Sequence, residues 1–267
     1  MIDAAVKLEP LSADPSERPG ILLIGHGTRD PVGQGEFLQL AGLVAEKCPD
    51  WPVEAGFLEL AEPSIAVAFE RLLARAVQDI VVVPALLFSA GHAQRDIPDA
   101  ILAAAEKHSV RSICMTPALQ CNPLLLELSA RRYREAIESA AASDETFLLM
   151  VGRGSSDESA TAEMRKLTQL RAMQTPISRF ETCFVAVQRP TLVEGLEIAA
   201  ASGLRRIVVQ PHLLFAGQLL TEIRQSVNDF AIRYPDRQWI MTAHLGPEPE
   251  LAAALLSAVS THNYSSL

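Results

Sequence analysis

Three residues in the first half of the chain could together hold a metal ion or move protons. His26 closes the apolar run GILLIGH, Glu59 closes VEAGFLE, and His92 stands four residues beyond DIVVVPALLF, in SAGH. Neutral imidazole is a good ligand for first-row divalent ions and titrates near neutrality, and a carboxylate can add a donor or accept a proton. At an offset of 127 residues (Gly25 to Gly152) the chain writes the same frame again, with Arg153, Ala186 and Leu219 at the three matching positions. The three chemical groups are lost together while the apolar framework around them stays. A lone strand-end histidine is commonly a structural hydrogen bonder and a lone Glu59 a solvated carboxylate; their joint loss assigns them to one site.

The elements that must position these groups alternate strand and helix. GILLIGH, VEAGFLEL, DIVVVPALLF and RSICMTP read as strands, and helices fill the intervals, with Asp30-Pro31, Pro63 and Asn122-Pro123 as start signals. The third run is apolar on both faces, as a central parallel strand requires. The loop SAGHAQRD is expected to lead into a helix from Ile97. The series then restarts with TFLLMVG, ETCFVAV, RRIVVQPHLLF and QWIMTAH. The 127-residue offset also joins Asp30 to Asp157, Phe57 to Phe184 and Pro63 to Pro190; near the end it slips by one, joining Met115 to Met241. The predicted fold is α/β: two tandem similar lobes, each a mainly four-stranded parallel sheet flanked by helices, with a cleft between them. The expected divisions are a flexible tail over 1–19, a site-bearing lobe over 20–142 and a degenerate lobe over 143–267. A strand order 2-1-3-4 would bring the first three strand ends together where ligands bind in open parallel sheets. Gly25, Gly27 and Gly91 leave room there for a flat ligand.

The bulk properties agree with this scheme. The chain has 267 residues, 49% of them hydrophobic, and a net charge of −9, which argues against nucleic acid or an anionic membrane as partner. The opening residues lack the basic start and apolar block of a signal peptide, and no apolar run is long enough to span a bilayer. A cytoplasmic protein with four buried, reduced cysteines (Cys48, Cys114, Cys121, Cys183) is expected. Gly25-x-Gly27 is not completed by a third glycine at position 30, so a dinucleotide loop is set aside. His212 is read as structural, and His108, His244 and His262 as solvated or local hydrogen bonders.

LLIGHGTRDP, FLELAEPSI and VVVPALLFSAGHAQRDIP, followed by GRGSSD in the second half, resemble the sirohydrochlorin chelatases, and within them the two-lobed bacterial form assigned to cobalt insertion. The resemblance covers nearly the whole chain beyond the N-terminal tail. It implies ATP-independent insertion of a divalent metal into sirohydrochlorin, towards cobalamin or sirohaem, with Co²⁺ favoured and Fe²⁺ or Ni²⁺ open. It places the family's metal-site histidines on His26 and His92, and its substrate-contacting loop on Leu87, Phe88, Ser89, Ala90 and Gly91. His26, Glu59 and His92 are then the catalytic set. The substrate is anionic, which makes Arg29, Arg95 and Arg153 candidate contacts. No cofactor beyond the metal substrate is expected, and the terminus STHNYSSL suggests no iron–sulfur cluster. Two fused copies could complete the site within a monomer. From a different class, a non-catalytic tetrapyrrole or metal carrier is the alternative.

Overall fold

The computed structural model describes residues 19–89, 91–138, 145–260 and 265–266; the side chains of 91–94 and 265–266 lie outside this set, as does nearly all of the expected tail. In chain order the elements are β1 (Gly20–Gly25), α1 (Pro31–Lys47), β2 (Val53–Phe57), α2 (Ile65–Leu73), β3 (Asp79–Pro84), α3 (Gly91–Ala105), β4 (Ser112–Met115) and α4 (Pro123–Ile137), followed by β5 (Thr146–Gly152), α5 (Glu158–Ala172), β6 (Arg179–Phe184), α6 (Leu192–Ala200), β7 (Arg206–Pro211), α7 (Gln218–Arg233), β8 (Gln238–Met241), α8 (Pro249–Ser260) and β9 (Ser265–Ser266).

The first sheet runs β2-β1-β3-β4-β9 and the second β6-β5-β7-β8. The expected order 2-1-3-4 is therefore present in both. Pairing among the eight long strands is parallel. The addition is β9, two residues antiparallel to β4. Its backbone groups occupy an edge that would otherwise offer unpaired donors and acceptors.

Two compact units emerge: one is the chain up to Leu119 together with Pro247 onward, and the other is Gln120–Gly246. This differs from the division expected at 142/143. The repeat changes over there, but the last helix of each repeat belongs to the other unit. Packing decides it: α8 lies against α1, and α4 against α5 and β8.

Both central strands are buried on both faces. In the first unit Leu22 and Ile24 join Ile65, Phe69, Leu72, Val82 and Ile101 in one core cluster, while the alternate residues Ile21 and Leu23 are also 0% exposed. In the second, Leu149 and Val151 pack with Cys183, Leu196, Val209 and Ile223. All four cysteines are free, but only Cys48 and Cys183 are fully buried; Cys114 and Cys121 are half-buried, a correction to the expectation. Burial pushes the Cys48 thiol up to about 11. No helix among the described residues is long and apolar enough to cross a membrane.

Candidate active site

The site begins where β1 and β2 stop. Their parallel register ends at Gly25 opposite Phe57, yet the pairing continues into the loops. Leu58 N–H donates to the Gly25 carbonyl at 2.9 Å and Glu59 N–H to the His26 carbonyl at 3.1 Å. This holds residues 26 and 59 side by side. Gly27 makes the close approach possible: its φ is +102°, and a Cβ there would lie 1.7 Å from the Glu59 carbonyl oxygen. No side chain fits. The loop is fixed further by Gln34, whose Nε2 donates to the Thr28 carbonyl at 2.8 Å, and by Asp30, which caps α1 through Val32 N–H at 2.8 Å.

The consequence is that His26 Nε2 lies 3.2 Å from Glu59 Oε1, with the side chains 39% and 54% exposed. Even between full charges, an exposed contact of this kind is worth only about 0–1 kcal/mol, so the fold gains little from this arrangement. Chemically it offers an imidazole donor and a carboxylate to anything arriving from solvent. Since β1 lies between β2 and β3, and the chain runs first to one side and then to the other, the pair stands at the topological switch point.

On the other flank, Ala85 N–H donates to the Ile24 carbonyl at 2.8 Å, so the segment after β3 leaves from beside β1. Leu87, Phe88 and Ser89 in it are half-buried. Ala90 and the imidazole of His92 lie outside the described residues. The backbone of His92 is in the first turn of α3 and not, as expected, in a loop ahead of Ile97. Pro98 lies inside α3, where a proline forgoes one main-chain hydrogen bond and crowds the carbonyl four residues back, which can kink a helix without barring the turn ahead of it. Gly91 is the first residue of α3, and Arg29 and Arg95 are exposed. Among the described residues no group of three His, Cys, Asp or Glu could hold a metal ion; the described part of the site is the His26–Glu59 pair.

The second unit repeats the backbone without the chemistry. Ala186 N–H donates to the Arg153 carbonyl at 2.9 Å and Val185 N–H to that of Gly152 at 3.0 Å. A Cβ on Gly154, at φ +90°, would lie 1.8 Å from the Ala186 oxygen. Arg153 is exposed. The Asp157 carboxylate, a local partner that it could have taken, caps α5 through the Ser159 N–H at 2.9 Å, and no ion pair to Arg153 is seen among the described residues. Leu219, like His92, is the second residue of its helix.

Sequence reasoning missed a polar core in the second unit. Arg171 is 0% exposed and donates from Nη1 to Thr175 Oγ1 at 2.8 Å, with its guanidinium 5.0 Å over the Tyr133 ring. Burial lowers it to about 10. Gln210 Nε2 donates to the Ser129 carbonyl at 2.6 Å. His212, at the end of β7, is held down to about 3 by burial and then by the Arg171 charge. The signal available was Arg171 within the helical run MRKLTQLRA, at a position that the first half fills with Val44.

The CbiX family model matches the chain twice, over residues 20–136 and 147–262. A sirohydrochlorin cobaltochelatase of Priestia megaterium is 30% identical over 241 residues, which is 88% of this chain and 77% of that protein. A sirohydrochlorin ferrochelatase of the same organism is 29% identical over 245 residues, covering 90% and 89%. Among solved structures, SirB from Bacillus subtilis with Fe³⁺ gives a TM-score of 0.81 at 26% identity, covering 92% of this chain and 95% of that one. The sirohydrochlorin chelatase SirB from Bacillus subtilis subspecies spizizenii in complex with cobalt gives 0.77 at 25% identity over the same shares.

Proposed function

Because the chain belongs to the CbiX family, we propose that it is a sirohydrochlorin chelatase, inserting a divalent metal ion into that tetrapyrrole without ATP. The observation that carries the reading is the half-exposed His26–Glu59 pair, 3.2 Å apart at the switch point of the first sheet. Insertion exchanges two pyrrole N–H protons for one metal ion. It needs a protein donor that holds the ion yet leaves coordination positions free, and a base for the protons. In this proposal His26, with His92, presents the metal and Glu59 accepts protons, an aid typically worth about 10²–10⁴-fold. The segment Leu87–Gly91 and the exposed Arg29 and Arg95 contact the anionic macrocycle, the guanidiniums offering planar forks to its carboxylates.

We assign Co²⁺ as the working substrate and Fe²⁺ as its competitor. The assignment draws on the cobaltochelatase relative, and the competition on the nearly equal ferrochelatase identity and on imidazole's acceptance of both ions. The test is an absorbance time course with sirohydrochlorin in excess over protein, with Co²⁺, Fe²⁺ and Ni²⁺ supplied separately. Multiple turnovers with Co²⁺ are expected. Faster turnover with Fe²⁺ would reverse the metal assignment alone. Stoichiometric binding without turnover, for every ion, would replace the chelatase by a carrier.

A further inference from the structure

Leu60 follows Glu59 directly and breaks two rules at once. It is a large aliphatic residue 48% exposed, and its backbone sits at φ +64°. A bulky side chain at positive φ is uncommon and strained, so it persists only where the surroundings impose it. Here they do. Glu59 N–H donates to the His26 carbonyl before it, and the Pro63 carbonyl after it accepts from Phe57 N–H at 2.8 Å, closing the loop around Leu60. Glycine or asparagine would sit there with less strain.

The duplicated half shows what was kept. Val187, at the matching position, has φ +65° and is 73% exposed. A β-branched residue is still less at ease in that region. The neighbouring acid has become Ala186, yet an exposed aliphatic side chain remains on the strained backbone. If Leu60 served the proton chemistry of Glu59, nothing would hold its counterpart once that chemistry was gone. If it served the fold, it would be buried. An exposed aliphatic group that outlasts the acid beside it fits contact with an apolar face of a ligand.

We infer that Leu60 is a substrate-binding residue that rests against the apolar ring face of the tetrapyrrole while Glu59, one residue earlier, addresses its nitrogens. This rests on the sirohydrochlorin reading above. Burying part of a leucine side chain is worth about 1–2 kcal/mol, so its removal should weaken substrate binding about tenfold.

The experiment compares wild type with Leu60→Gly, Leu60→Asn and Leu60→Met, reading KM for sirohydrochlorin, kcat, and thermal midpoint. Glycine and asparagine relieve the backbone, so these variants should melt at or above the wild-type temperature. The expected result is a KM about tenfold higher in both, with kcat within about twofold, and recovery of most of the affinity in Leu60→Met. An unchanged KM in Leu60→Gly and Leu60→Asn overturns the inference, and so does a lowered melting temperature, which would make Leu60 a packing residue. These outcomes require a wild-type chain that binds and metallates sirohydrochlorin. If it does neither, the functional reading falls, and this inference with it.

Discussion

At the end of the first strand of each unit, the backbone is the same and the chemistry is not. Residues 26 and 153 accept a hydrogen bond from residues 59 and 186 at 3.1 and 2.9 Å, and each is followed by a glycine on which no Cβ could be built. One unit hangs His26 and Glu59 on this frame; the other hangs Arg153 and Ala186. Beneath the frame the contrast inverts. The first unit has Val44, Val83 and Ala85 in its core, all nearly fully buried, where the second has Arg171, Gln210 and His212. Duplicated backbones thus keep their hydrogen bonds while side chains diverge, because loop geometry is set by glycine and main-chain pairing, whereas catalysis needs only a few side chains.

The largest effect comes from removing the chemistry where it exists. His26→Ala should lower insertion by about 10²-fold or more. Its melting temperature should move by less than about 3 °C, since the exposed pair stabilises little. Arg153→His should add nothing. The triple change Arg153→His, Ala186→Glu, Leu219→His should add a second bound Co²⁺ by calorimetric titration. A triple variant that still binds one ion would mean that more than these side chains separates the units.

Next in size, Glu59→Gln keeps the shape of the side chain but cannot accept a proton, and kcat should fall about 10²-fold with Co²⁺ affinity altered much less. A variant as active as wild type would leave the proton to another group and remove Glu59 from the comparison.

Much of this was legible in the residues themselves. The repeat followed from framework residues recurring at a constant offset, the strand order from the alternation of apolar strands and helical crossovers, and the His26–Glu59 association from groups lost together along that offset. The exchange of α4 and α8 between units was hidden because a repeat records where a sequence restarts, not which surface its last helix covers. The buried Arg171 was hidden because an amphipathic pattern treats arginine as a surface residue, whereas here Thr175 and the Tyr133 ring receive it. The early start of α3 was hidden because the polar, glycine-containing run SAGHAQRD reads as a loop, whereas the helix already begins at Gly91.

The inverted core gives a third test, through pH. The His212 imidazole is held at about 3 in the folded chain, against about 6.5 when unfolded. A depressed folded value means that the unfolded chain binds the proton first. Stability is therefore unaffected above pH 6.5 and is lost progressively as pH falls from there towards 3. At pH 5 the loss from this group amounts to about 2 kcal/mol. Replacing His212 by alanine, the residue of the first unit at that position, should remove it. Urea unfolding at pH 7 and pH 5 reads the difference. Equal losses in wild type and His212→Ala would show that the buried imidazole does not distinguish the two cores in acid.

The smallest effects separate frame from chemistry most cleanly. Asp30 caps α1 by accepting from Val32 N–H at 2.8 Å, and Asp157 caps α5 by accepting from Ser159 N–H at 2.9 Å. Loss of such a cap costs about 1 kcal/mol, so Asp30→Ala and Asp157→Ala should destabilise the chain equally in urea titrations. Their kinetic effects should differ. The Asp30 N–H is bound to Thr28 Oγ1 at 3.1 Å, which ties the cap to the loop that carries His26. If His26 presents the metal as proposed, loosening this loop displaces that donor, and small misplacements at a reacting centre slow turnover. A few-fold drop in kcat is expected for Asp30→Ala. The corresponding loop in the second unit presents Arg153 in place of a histidine, so Asp157→Ala should leave kcat unchanged. Matching losses of kcat in the two variants would mean that the cap acts on turnover through stability alone and not through the loop that carries His26.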